Sequence, residues 1–181
     1  RKTFSSQRYE IWTMQSAYHS LPTIDGVMQA PGRQFAARDV RYKSDDSMAQ
    51  LRLDIAGAYP EQARLKSWVR TITLNRGRDV TIADGYTLTQ SVGQITISLM
   101  TPCSAVVGEP GQILLSASDR DDALARVIYD ASKLTATIEV IDVEDGRLRS
   151  VWPEKITRIL LTAKKPALKD TWTLKVEPTK P

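Results

Sequence analysis

The chain has 181 residues, 41% apolar and 25% charged, a composition that excludes a disordered or collagen-like chain and fits a folded globular protein. Its 25 Lys and Arg against 21 Asp and Glu leave a formal net charge of +4 and a pI near 9.2, but no basic run is longer than Lys164-Lys165, so nucleic acid is not an expected partner. One cysteine, Cys103, and one histidine, His19, exclude an internal disulfide and a complete Cys/His zinc site from this chain alone; no apolar run approaches the ~20 residues of a membrane span.

The only histidine comes early, in Tyr18-His19-Ser20-Leu21-Pro22-Thr23-Ile24-Asp25-Gly26, a stretch that ends in an Asp-Gly turn signal. Histidine titrates near neutrality and is the commonest metal ligand, so chemistry is sought here first. A hydrogen-bonded structural histidine is the plainer reading, and the residues alone leave both open.

Further along, apolar and polar residues alternate. Leu51, Leu53 and Ile55 oppose Arg52 and Asp54, and Ile95, Ile97 and Leu99 oppose Thr96 and Ser98. Leu134, Ala136, Ile138 and Val140 repeat the pattern, as do Trp172, Leu174 and Val176. This period predicts half-buried strands, and β-branched and aromatic residues suit them. Between 65 and 74, Trp68, Ile72 and Leu74 share a face with Lys66 and Arg70, as in a long strand covered on both sides in part or leaving a sheet end. Asp119 to Arg126 predicts a turn or two of helix with Asp119 as N-cap, followed by strand at Val127-Ile128-Tyr129. Glu177 to Pro181 reads as a fraying tail.

Turn signals at Asp25-Gly26, Pro31-Gly32, Asn75-Arg76-Gly77, Pro110-Gly111 and Asp145-Gly146 separate these runs. Short strands between polar turns predict an all-β, antiparallel sandwich or barrel with little helix, one domain over 1–181. The opening Arg1-Lys2-Thr3-Phe4, with neither methionine nor leader, reads as a piece of a longer protein.

Generic catalytic motifs are missing. There is no phosphate-cradling glycine loop and no Gly-x-Ser-x-Gly elbow, and any nucleophile-histidine pair could use only His19. Cys103 reads as a small apolar filler, and the acid pairs Asp45-Asp46, Asp121-Asp122 and Glu144-Asp145 as solvated turns. Of the four tryptophans, Trp172 belongs to a core strand, whereas Trp12 and Trp152, if exposed, are carbohydrate-binding candidates.

Two blocks carry a family resemblance. The run from Thr3 to Gln29, with Tyr18-His19-Ser20 followed by Asp25-Gly26 and Gln29, resembles the C-terminal portion of heparinase II/III-like polysaccharide lyases, where a His-Asn pair precedes Asn-Gly or Asp-Gly and then Gln. Ser20 stands where the family usually has Asn. Ala58-Tyr59-Pro60, Trp68-Val69-Arg70 and Val80 to Asp84 are similar to the family's Tyr-Pro, Trp-x-Arg and strand-ending Asp, while residues after about Thr101 match only in general character.

The resemblance implies an antiparallel β-sandwich of the supersandwich type, preceded by an α/α-toroid with most of the catalytic machinery. It implies cleavage of uronic-acid-containing glycans, heparin/heparan-sulfate-like or alginate-like, by β-elimination. It also implies a zinc ion in the whole enzyme held by two histidines and an aspartate, with His19 as the second histidine and the other ligands upstream. Tyr18 and Gln29 are expected near the saccharide, and Arg70 and Asp84 as a structural ion pair or edge charge more than as substrate contacts. The isolated chain is expected to be inactive and to lack zinc. Expected partners are an acidic polysaccharide and the protein's own toroid, and the expected location is periplasmic or secreted. Two other readings stand beside this one: a carbohydrate-binding module using exposed aromatics, and a sandwich that only braces the toroid. A complete enzyme in this length is the weakest, for want of a base and a charge stabiliser.

Overall fold

The computed structural model describes residues 4–117 and 123–179. Strands β1 (Pro22–Ile24), β6 (Gln94–Thr101), β11 (Lys155–Lys164) and β10 (Thr135–Asp142) form an antiparallel sheet in the order β1-β6-β11-β10. A larger antiparallel sheet lies against it. It contains β2 (Arg38–Ser44), β3 (Met48–Asp54), β4 (Leu65–Asn75), β5 (Asp79–Leu88), β12 (Lys169–Pro178), β9 (Ala123–Ile128), β8 (Gln112–Ser116) and β7 (Ser104–Val107), in that spatial order. The chain is therefore an all-β sandwich, as expected, with one four-residue helix, α1 (Gly146–Arg149), among the described residues.

Alternation decides which side chains meet between the sheets. Ile95 and Ile97 of β6 and Ile159, Leu161 and Ala163 of β11 join Trp68, Tyr86, Trp172 and Leu174 of the large sheet in one buried cluster. Trp68 stacks on Tyr86 at 5.2 Å, and Trp172 meets Trp68 edge-on at 6.0 Å. Cys103 packs half-buried against this cluster, the apolar role expected of it.

The Asp25-Gly26 signal folds as read. Asp25 and Gly26 take φ of 46° and 79°, and Ile24 and Val27 exchange both backbone hydrogen bonds, a two-residue turn of type I′. Asp25 also accepts from the Gly93 and Gln94 N–H groups at 3.1 and 2.8 Å, tying the turn to the start of β6.

The expected strands lie in β3, β6, β10 and β12; β4 stays paired on both sides through Asn75, and Leu74 near its end is exposed. Three expectations are corrected. Ala123 to Arg126 form strand, because β9 is held between β8 and β12; residues 118–122 lie outside the described residues. Glu177 and Pro178 are not a tail: they pair with Arg126 and Ala125, and Arg126 and Lys175 both reach the Glu177 carboxylate. Asp145-Gly146 opens α1, since the Asp145 carboxylate caps the Arg147 and Leu148 N–H groups.

Candidate functional site

Ser98 on β6 and Arg158 on β11 point away from the core, being offset by one residue from the inward Ile97 and Ile159. The N-terminal segment is laid over this outer face of the four-stranded sheet. It descends in short 3-10 turns at Ser6–Glu10, Trp12–Met14 and Ser16–Tyr18. Ser98 Oγ donates to the Ala17 carbonyl at 2.9 Å, and the Ser16 hydroxyl accepts the Gln29 N–H at 2.9 Å.

His19 ends the last turn in extended backbone and is exposed, with its Nε2 3.2 Å from the Thr13 carbonyl. The Tyr18 ring is held from two sides. Trp12 meets it edge-on at 5.3 Å, and the Arg158 guanidinium lies 4.5 Å from its centroid, itself fixed by Glu139 at 3.0 Å.

Two cavities adjoin at His19. One, of about 420 Å³, is walled by Trp12, Tyr18, His19, Met100, Leu148 and Trp152. The other, of about 290 Å³, is walled by Tyr9, Ser16, His19, Gln29 and Pro31. Of the three residues expected from the sequence, Tyr18 and Gln29 therefore each share a cavity with His19, but not the same one. The Gln29 amide also bears on Tyr59, whose pKa is pushed far up by burial, against the smaller opposing effects of Arg70 and Gln29. A larger cavity of about 540 Å³ opens elsewhere, among Pro102, Ala105, Val140, Pro153 and Lys155, with neither an aromatic platform nor a histidine.

Trp152 reaches the first cavity from the α1–β11 connection, where its backbone N–H donates to the Leu148 carbonyl at 2.7 Å. It is 46% exposed. Its approach to Trp12 bridges 140 positions and is carried by the β6–β11 register, so no local pattern announces it.

Arg70 and Asp84 are fully internal. Arg70 Nε and Nη2 clasp the two Asp84 oxygens at 2.8 and 2.7 Å, Trp68 Nε1 donates to Asp84 at 2.9 Å, and Arg70 Nη1 donates to the Ser20 carbonyl at 2.6 Å. They form the structural ion pair expected, and it anchors the residue after His19. The residues present do not by themselves fit a zinc ion. His19 is the one imidazole, and among the described residues no three His, Cys, Asp or Glu side chains are grouped to hold a metal.

The fold and this surface define an antiparallel β-sandwich with an aromatic, histidine-centred face on its smaller sheet. No protein-family model matches the chain, and no curated protein sequence does. Solved structures do. Heparan sulfate lyase HepC from Pedobacter heparinus is similar over 94% of this chain and 25% of its own, at 13% identity and a TM-score of 0.69. A heparinase III with methylated lysines is similar over 98% of this chain and 26% of its own, at 11% identity and a TM-score of 0.67. A further heparinase III is similar over 96% and 25%, at 10% identity and a TM-score of 0.63. The chain is thus a β-sandwich structurally related to heparinase II/III-like lyases, and it spans about a quarter of their length.

Among the described residues, no helix is long and apolar enough to cross a membrane.

Proposed function

We propose that this chain is the β-sandwich part of a polysaccharide lyase, preceded in the whole protein by an α/α-toroid, and that the outer face of its four-stranded sheet walls the cleft for an acidic, uronate-containing glycan. The observation that carries this reading is the meeting of Tyr18, His19 and Gln29 at two adjoining cavities, one of them lined by Trp12 and Trp152. Flat aromatic faces beside hydroxyl and amide donors suit a sugar ring, which presents C–H on its faces and O–H at its edge. The likeness of nearly the whole chain to part of three lyase structures supports the same reading.

In such a reaction a base removes the proton alpha to the uronate carboxyl, the bond to the leaving oxygen breaks with formation of a C=C bond, and an acid protonates that oxygen. This chain would supply neither base nor acid, so by itself it binds without cleaving. Zinc in the whole protein would take one ligand, His19, from this chain and the others from outside it. Substrates of this kind are polymers met outside the cytoplasm, so the reading carries with it a periplasmic or secreted location.

The test is a titration of the whole protein with heparan-sulfate and alginate oligosaccharides, followed by tryptophan fluorescence, with zinc content measured alongside. Trp152→Ala is expected to weaken binding about tenfold, and His19→Ala to lose zinc. Unchanged glycan affinity and unchanged zinc in these variants would overturn the reading. The exposure of Trp152 also favours a second reading, a non-catalytic carbohydrate-binding module. That module would bind glycan as the isolated chain, more weakly in salt, within a protein that makes no unsaturated product.

A further inference from the structure

On the opposite side of the molecule, the outer face of the eight-stranded sheet carries two rows of side chains across the strands. Register places Arg41, Arg52, Thr71, Ala83 and Thr173 in one row and Lys43, Gln50, Thr73, Thr81 and Lys175 in the next. These positions alternate with the inward Arg70, Asp84, Trp172 and Leu174, so they face away from the core. Neither row contains a carboxylate. Of the acids beside them, Asp45 accepts from Ser47 and from the Met48 N–H, Asp54 Oδ1 accepts from the Ala56 and Trp68 N–H groups, and Asp79 and Glu177 pair with Lys175, while Asp46 lies in the β2–β3 turn. Asp39 sits in the β2 bulge with φ 52°, two positions before Arg41.

Among the described residues, Arg41, Lys43 and Arg52 have no ion-pair partner. Arg41 and Arg52 lie directly opposite each other, at the about 5 Å separation where like charges destabilise a strand pair. Charges on β2, exposed along its whole length, serve to keep an edge strand from pairing with another chain. That does not account for Arg52, whose strand is paired on both sides.

We propose that this face is a second glycan-binding surface, on which Arg41, Arg52 and Lys43 take the sulfate or carboxylate groups of an acidic polysaccharide while Thr71 and Thr73 offer hydroxyls to the sugar. The ligand class rests on the acidic-glycan reading above; the surface depends on neither His19 nor the two cavities. The two rows hold no aromatic side chain on which bases could stack, which favours a glycan over single-stranded nucleic acid.

The test is the affinity of the full chain for a fluorescein-labelled heparin oligosaccharide, by anisotropy, at about 0.1 M NaCl, where charges ~10 Å apart still interact. Arg41→Gln/Arg52→Gln is compared with Arg33→Gln/Arg78→Gln, which removes the same charge from exposed loops. The first pair is expected to lose about tenfold in affinity and the control less than about twofold, with no fall in thermal midpoint for the first because a repulsion is removed. Equal losses in both pairs, no loss in the first, or equal and equally sensitive binding of a DNA oligonucleotide would overturn the proposal. If heparin binds wild type and strip variant alike while the whole protein cleaves a uronate glycan, this surface alone is wrong. If neither the chain nor the whole protein binds any acidic glycan, both readings fall.

Discussion

Arg70, buried in the middle of the large sheet, donates its Nη1 to the carbonyl of Ser20 at 2.6 Å, so the residue after the only histidine is fastened to a buried guanidinium inside the sandwich. The remaining guanidinium nitrogens are spent on Asp84, which is 2% exposed. A buried bidentate pair is not a strong source of net stability, because desolvation offsets the attraction. It is a strong constraint on position, because either partner alone is costly to leave unpaired.

Arg70→Met should therefore cost about 3–5 kcal/mol, since it strands the Asp84 charge in the core and frees the Ser20 carbonyl. Arg70→Met/Asp84→Leu should recover most of that loss. Urea denaturation midpoints check both; a loss below about 1 kcal/mol for Arg70→Met would be the behaviour of a surface pair and would contradict this placement.

Two buried tyrosines should respond in opposite senses to loss of their hydroxyls. Tyr59 donates to the Pro22 carbonyl at 2.6 Å, so Tyr59→Phe should destabilise by about 1 kcal/mol. The Tyr86 hydroxyl is buried without a partner among the described residues, so Tyr86→Phe should be neutral or stabilising, by up to about 1 kcal/mol. The pKa of Tyr86 is pushed up to about 12 by burial and, less, by the charge of Asp170. A raised pKa gives a contribution fully present below the unfolded value of 10.0 and lost as pH rises through about 12. Denaturation midpoints between these limits should fall less steeply with pH in Tyr86→Phe than in wild type.

At the acid end, hydrogen bonds from Lys175 and Arg126 hold the Glu177 pKa below its ordinary 4.5. A depressed carboxylate pKa gives stability that is present above the unfolded value and lost as pH falls through the folded one. Glu177→Gln should thus be less stable than wild type at neutral pH, and the two should converge as pH drops below 4.5 and through the lowered folded value. Thermal midpoints across that range check it; a difference that persists undiminished in acid would show that packing rather than charge is responsible.

These residues also show what could be read without a structure. Period-two runs mark β3, β6, β10 and β12 because in each one set of alternate side chains packs on the core, fully buried in β6 and β12 and partly in β3 and β10, and that writes itself into the sequence. Asp25-Gly26 was equally plain, since left-handed backbone at both turn positions restricts the choice of residue. Asp119 to Arg126 misled, because an acidic N-cap signal is local while Ala123 to Arg126 answer to strands on either side. Glu177 looked like tail for a similar reason: its partner Arg126 is 51 positions away. Tyr18, His19 and Gln29 lie in one short motif and can be singled out together from sequence, whereas Trp152, from a connection with no alternation of its own, is placed in one cavity with Trp12 only by the fold.

His19 should matter little to folding. It is exposed and its side chain makes one hydrogen-bond contact, at 3.2 Å, so His19→Ala is expected to shift stability by less than about 0.5 kcal/mol, as checked by denaturant midpoint. A much larger loss would mark it as a structural histidine.

The most direct test of the central claim is formation of unsaturated uronate product, read by ultraviolet absorbance, by the whole protein on heparin, heparan sulfate and alginate, with and without His19→Ala. The account predicts product from at least one of these glycans, its loss together with zinc in the fully folded His19→Ala protein, and none from this chain alone. No product from any acidic glycan, or undiminished activity and zinc after His19→Ala, would contradict it.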